Sequence, residues 1–285
     1  MSAGFTTTVR LRRLGAQLRR LREAQGLTLE EAGERMERSL SSLSKIETGR
    51  VAVRVRDLRV ILDFYQVSDE KQYEWLIGLA RDARKRGWWQ QYDDVLSAAY
   101  QDFISLESDA AAVRTFETIL IPGLLQTVDY ARAVIEAVPA PRSRQDIGQL
   151  AKVRVERQEV LAREVPLQLW AIVDEAALHR HIGGRDTMRG QLHRLVEAAR
   201  MEHVTLQVLP YTAGAHAGIN GPFTILEFAE KSEPDVVLVE NLTSGLYLEQ
   251  EVDTRRFDQA FDHLRASALP IADSISLIER VIEDL

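Results

Sequence analysis

The chain reads as an α+β protein, an all-helical head followed by a mixed or antiparallel sheet domain with flanking helices. Three observations predict this. Apolar residues recur at helical spacing through the first 86 residues. Four strand-like segments, Val204–Leu209, Phe223–Phe228, Val236–Glu240 and Gly245–Gln250, follow one another with short gaps. Helix-period segments stand before and after them, the pattern of a sheet flanked by helices. Gly87-Trp88-Trp89 marks the change of character, which divides the chain into residues 1–86 and 87–285. A length of 285 residues suffices for two domains with their own cores.

Each element of the head has a local reason. Residues 1–8 are small and polar and read as a frayed end. A first helix is predicted from Val9 to Ala24, with Leu11, Leu14, Leu18 and Leu21 on one stripe and Gly26 beyond its end. Arg10, Arg12, Arg13, Arg19, Arg20 and Arg22 lie off that stripe, either reaching phosphates or solvated and paired with Glu23. Thr28 and Glu31 have capping-box spacing at the head of a helix over Leu29–Met36. After Glu37-Arg38, Ser39 is placed to cap a further helix in which Leu43 and Ile46 point inward, closed by Thr48-Gly49. Helices over Val55–Tyr65 and Asp69–Arg86 complete the head.

Two short helices joined by a tight turn, the second carrying small polar and cationic residues, describe a helix-turn-helix. Small side chains let such a second helix bring its backbone close to base edges in the major groove. The segment SLSSLSKIETGR also resembles the S-x-S-x-x-S-[Arg/Lys]-I-E-x-G signature of the Xre, or lambda-repressor-like, family. The resemblance implies Ser39 as recognition-helix cap, Leu40, Ser41, Ser42 and Lys45 as the positions facing DNA, and Glu47 and Gly49 as the structural close. Thr28 joins them as the cap of the preceding helix. One or two of Arg50, Arg54 and Arg56, in the loop that the family runs beside the DNA backbone, are expected to touch phosphates. Two positions depart from the family: Leu40 is apolar where a polar reader or Pro is usual, and Glu37-Arg38 replaces a Gly-apolar turn.

In the second domain the expected order is a helix over Val95–Leu106, a strand over Val113–Leu120, a helix over Leu124–Val138 and a long charged helix over Gln145–Arg163. A strand over Leu167–Val173, a short helix over Asp174–His181 and an amphipathic helix over Met188–Met201 lead into the four strands. Helices over Thr254–Ala268 and Ser274–Asp284 close the chain. The tryptophans at 88–89 are read as packing at the junction of the two domains, in preference to stacking on bases.

The segments WW at 88–89, FISLE at 103–107, IPGLLQT at 121–127, YARA at 130–133, RQ at 157–158, DEAALHR at 174–180, QVLP at 207–210 and GPF at 221–223 carry a second resemblance. Together they are similar to the domain of unknown function that follows an Xre head in many actinobacterial, especially streptomycete, regulators. That resemblance implies a transcription regulator of development or antibiotic production, often encoded beside a small acidic partner protein.

Charge is segregated. Residues 1–90 hold 18 Lys+Arg against 12 Asp+Glu, and the remainder holds 18 against 31, so a head of +6 precedes a body of −13. Only the head is suited to a polyanion. With no cysteine there is no disulfide, thiolate metal site or cysteine nucleophile. No run of about 20 apolar residues and no apolar leader is found, so a cytoplasmic protein without membrane contact is expected.

Catalytic motifs are lacking. Gly214–Gly221, GAHAGING, has no Gly-Lys-[Ser/Thr] end and no Gly-x-Ser-x-Gly elbow occurs. His179-x-His181, with His193, Asp174 and Glu175 nearby, is a possible metal spacing, but positions two apart diverge on a helix and structural sites pair four ligands. The protein is read as a non-enzyme without cofactor or metal. His216 and Asn220 in the glycine-rich loop, and Trp170, are the candidates for a ligand or partner pocket, with Phe116 and Trp170 better explained as core. The leading expectation is a sequence-specific regulator binding double-stranded DNA as a homodimer, since Xre heads read inverted half-sites. The alternative is an antitoxin-like interaction protein that holds a small partner and autoregulates.

Overall fold

The computed structural model describes residues 9–82, 87–140, 142–229, 234–241 and 245–285. The expected frayed end at 1–8, and the end of the last head helix beyond residue 82, lie outside them. Contacts divide the chain into two compact units, one drawn from Met1–Gln90 and Tyr100–Ser105, the other from Gln91–Ala99, Leu106–Ala229 and Pro234–Leu285.

The first unit contains α1 (Val9–Ala24), α2 (Leu29–Arg35), α3 (Leu40–Glu47), α4 (Val55–Phe64) and α5 (Glu70–Asp82). Its core joins Leu14 and Leu18 of α1, Ile46 of α3, Leu58, Ile61 and Leu62 of α4, and Trp75, Leu76 and Leu79 of α5. Apart from Trp75, these are positions that helical periodicity marks, one face per helix turned inward. Trp89, in a 3-10 turn over Trp88–Tyr92, is buried, with Trp88 edge-on at 5.9 Å.

The second unit is built on one six-stranded sheet of order β3-β2-β1-β4-β5-β6. The strands are β1 (Ala112–Glu117), β2 (Gln168–Asp174), β3 (Val204–Leu209), β4 (Phe223–Glu227), β5 (Val236–Glu240) and β6 (Gly245–Leu248). β1, β2 and β3 run parallel, whereas β4 pairs antiparallel with β1, β5 with β4 and β6 with β5. The sheet is therefore mixed. After α6 (Ala98–Asp109), the helices α7 (Val128–Ala137) and α8 (Arg144–Glu156) cross from β1 to β2; α9 (Glu175–His179) and α10 (Arg185–Ala198) cross from β2 to β3. A parallel pair requires such crossovers. Ala171, Ile172 and Val173 are buried in succession, as expected of a parallel strand covered on both faces.

The chain closes with α11 (Glu251–Ser267) and α12 (Ile271–Asp284), α12 packing against β3 and α10. Phe261 and Leu264 of α11 meet Phe116, Ile172, Phe223, Ile225 and Val237 of the sheet. Arg114 of β1 reinforces the contact: its Nη2 donates to Asp258 Oδ1 of α11 at 2.6 Å, and its Nε bonds Glu227 of β4.

Two expected helices are interrupted, each for a local reason. The helix predicted over Leu124–Val138 divides into a 3-10 turn at Gly123–Leu125 and α7, because Thr127 caps α7 through a bond from Tyr130 N. The helix predicted over Gln145–Arg163 gives up its α form after Glu156. The next turn is 3-10, and Arg157 grips the buried Glu107 with Nε–Oε1 2.8 Å and Nη2–Oε2 2.6 Å. The strand expected to reach Leu120 ends at Glu117.

Candidate nucleic-acid interface

The helix-turn-helix is assembled by backbone groups that find partners. Thr28 Oγ1 accepts from Glu31 N at 3.2 Å while Glu31 Oε2 accepts from Thr28 N at 2.8 Å, the reciprocal capping box. In the turn Arg38 N donates to Gly33 O at 2.8 Å, and a Cβ at Gly33 would lie 2.8 Å from Arg38 O, so glycine is required there. Glu37 takes φ 53°, the left-handed conformation that glycine accepts freely and other residues adopt at a cost. Ser39 Oγ then accepts from Ser42 N at 3.2 Å to cap α3.

At the far end of α3, Gly49 at φ 67° donates to Ile46 O and Arg50 N donates to Lys45 O, a Schellman close. α3 is held to α1 by two devices. A Cβ at Gly15 would stand 2.5 Å from Glu47 O, so the two backbones are nearly touching. Arg22 forms a buried bidentate pair with Glu47, Nε–Oε1 2.8 Å and Nη2–Oε2 2.9 Å, and its Nη1 donates to Leu27 O at 2.7 Å. These bonds to Glu47 raise the Arg22 pKa further, so its charge is permanent.

The opposite side of α3 is open. Leu43 and Ile46 face inward, whereas Ser39, Leu40, Ser41 and Lys45 are exposed and Ser42 is half-buried. Leu40 is 50% exposed, a large apolar side chain on an otherwise polar face. Arg50, Arg54 and Arg56 are exposed, Arg54 being the N-cap residue of α4. Lys45, Arg50 and Arg54 make no ion pair or side-chain hydrogen bond among the described residues, while Arg56 Nε lies 3.7 Å from Asp57 Oδ1. Thr28 is exposed, with its hydroxyl committed to Glu31. The face thus offers hydroxyls, one apolar contact and, in Lys45, Arg50 and Arg54, cations not engaged by other described residues.

Of the arginines of α1, Arg12, Arg19 and Arg20 are exposed as expected, whereas three are not. Arg10, Arg13 and Arg22 are buried, with Arg13 over the Trp75 ring and Arg10 Nη1 donating to Asp82 O at 3.1 Å. Arg22 pairs chiefly with Glu47; its nearest approach to Glu23 is 3.6 Å, and it is Arg19 that bonds Glu23, at 2.7 Å. The missed signal is position: Arg22 is four residues beyond Leu18, on the buried flank of the stripe.

In the second unit the three candidate pocket residues are not brought together. Asn220 lines a cleft beneath α11. His216 instead sets its ring on Phe116 at 5.6 Å and accepts from Gly218 N at Nδ1, 3.2 Å. Trp170 is covered: Nε1 donates to Gln207 Oε1 at 2.9 Å, Phe261 meets the ring edge-on and the Arg265 guanidinium lies 5.0 Å above it. His179 stacks on Tyr211 and lies 3.6 Å from Glu175, and among the described residues no group of three or more His, Asp or Glu is disposed to hold a metal ion.

No helix among the described residues is long and apolar enough to cross a membrane. Comparison with curated proteins and with solved structures finds no match. Family comparison finds two: residues 13–75 match a helix-turn-helix domain, and residues 100–280 match a domain of unknown function, DUF5753. The longer match takes in well over half of the 285 residues, and the chain therefore belongs to the DUF5753 family, with a helix-turn-helix domain ahead of that domain.

Proposed function

We propose that the protein is a sequence-specific, DNA-binding transcription regulator of the Xre type that inserts α3 into the major groove. The observation that carries this reading is the division of α3 into a face locked to α1 through Arg22–Glu47 and Gly15, and an open face of Leu40, Ser41 and Lys45. A helix held so firmly presents its side chains at fixed positions, which readout of base edges requires. Ser41 and Ser42 meet base edges, Ser39 caps the helix, and Lys45, Arg50 and Arg54 meet phosphates, with Arg56 beside them. Residues 1–86 bind DNA, and residues 87–285 supply dimer contacts, partner binding or signal input. A cytoplasmic homodimer reads an inverted repeat with half-sites about one helical turn apart.

The two classes of contact are separable by experiment. Lys45→Ala and Arg54→Ala are expected to weaken binding to every duplex alike and to reduce the salt slope by about one each. Ser41→Ala and Ser42→Ala are expected to change base preference instead, by about 1–3 kcal/mol at one position. Titrations of all four variants against a duplex panel at several salt concentrations decide the matter. Unaltered affinity and preference throughout would remove α3 from the DNA.

A further inference from the structure

The chain runs β1, β2, β3 outward to one side of the sheet and then returns to place β4 on the other side of β1. The return loop, residues 210–222, begins at the carboxyl end of β3 and passes the carboxyl end of β1. Between β1 and β4 the connections diverge, and open sheets bind ligands at such a switch point, outside the carboxyl ends of the parallel strands. A cleft of about 260 Å³ is found there.

The loop is clamped in place. A Cβ at Gly218 would lie 2.2 Å from the Phe116 ring, so glycine backbone lies directly on the last turn of the β1 core, and Gly221 takes φ 124°. His216 holds the same ring and the Gly218 amide. The cleft between this loop and α11 has Phe223 and Phe257, rings 5.1 Å apart, and Ala260 as apolar wall. Among the described residues its polar groups are Asn220 and Arg256, the latter the one charged side chain in the lining. Both are exposed, and neither side chain bonds another described residue, so a ligand would displace no ion pair among the described residues to reach them. Arg255, the preceding residue, is in contrast bound to Glu251.

We infer that this cleft binds a small aryl carboxylate, its ring against Phe223 and Phe257 and its carboxylate on the Arg256 guanidinium and the Asn220 amide. A guanidinium fork matches a carboxylate with two parallel bonds. The volume lies below the roughly 300–1,000 Å³ usual for ligand pockets, which limits the occupant to a single ring with a short chain. This site is independent of the DNA-binding reading, since its occupancy is measured without DNA.

The test is a fluorine NMR titration of the full chain with 4-fluorophenylacetate, with 4-fluorophenylacetamide as the uncharged counterpart. Saturable binding of the acid by about 10 mM is expected, with the amide and the Arg256→Gln variant each weaker by about fivefold or more. Phe257→Ala should weaken both probes, while Arg255→Gln leaves the affinity unchanged. Arg256 is exposed, so its variant should keep the wild-type melting temperature, which is checked alongside. Absence of saturable binding, or equal affinity for acid and amide or for wild type and Arg256→Gln, would overturn the assignment.

Discussion

Glu37 is the residue at which this helix-turn-helix carries an avoidable cost. Its φ of 53° is imposed by the turn that joins α2 to α3, and its exposed carboxylate makes no bond among the described residues in return. Glu37→Gly should raise stability by about 0.5–1 kcal/mol in denaturant unfolding, because relief of the left-handed strain exceeds the added chain entropy. A second residue-scale effect concerns Glu117 at the end of β1. Burial, reinforced by Glu240, pushes its carboxyl up to about 8 from an ordinary 4.5. Between those pH values the folded chain holds a proton that the unfolded chain releases, so stability falls as pH rises through that window and levels off above it. Glu117→Gln should flatten this slope and add roughly 1–2 kcal/mol at pH 8, the full shift being discounted for partial solvent access. Urea midpoints at several pH values check both the slope and the gain. Neither residue was legible in the sequence as strained or protonated. Glu37 was visible only as a departure from a turn pattern, and the pairing of Glu117 with Glu240 depends on strands that are distant in sequence.

At the scale of elements, the seating of α3 on α1 governs the geometry of the open face. Gly15 decides how near the two helices come. By helix propensity alone Gly15→Ala would stabilise α1 by about 1 kcal/mol. The added methyl, however, would meet the carbonyls of Glu47 and Ile46 at 2.5 and 2.6 Å, and backbone cannot rotate aside. Overpacking of this kind costs about 1–3 kcal/mol, so a net loss is expected, seen as a lower midpoint in thermal or denaturant unfolding. A higher midpoint would mean that the helices can separate without penalty. The helices themselves were readable from Leu11, Leu14 and Leu18, and from the caps Thr28 and Ser39, because those signals are local. The Arg22–Glu47 bond was not, since it joins residues 25 apart and nothing local to Arg22, read as solvated or paired with Glu23, points to Glu47. The expectation of a mixed or antiparallel sheet left the parallel direction of β1, β2 and β3 open, although helices separate each from the next, the spacing of parallel crossovers. The position of β4 beside β1 was not, because nothing local to either strand specifies its neighbour.

Taken whole, the chain has a basic head over residues 1–90 and an acidic remainder. The mixed sheet with flanking helices followed from periodicity and composition, whereas the cleft at the switch between β1 and β4 emerged only with topology. In the sequence Asn220 was a plausible lining residue on its glycine-rich surroundings alone; Arg256, 36 positions further on, carried no signal beyond an amphipathic helix. We propose that α3 reads DNA sequence. Selection of bound duplexes from a random pool by the full-length protein, at near-physiological salt, tests it most directly. Enrichment of an inverted repeat with half-sites about one helical turn apart is the expected result. A bound pool as random as the input would contradict it.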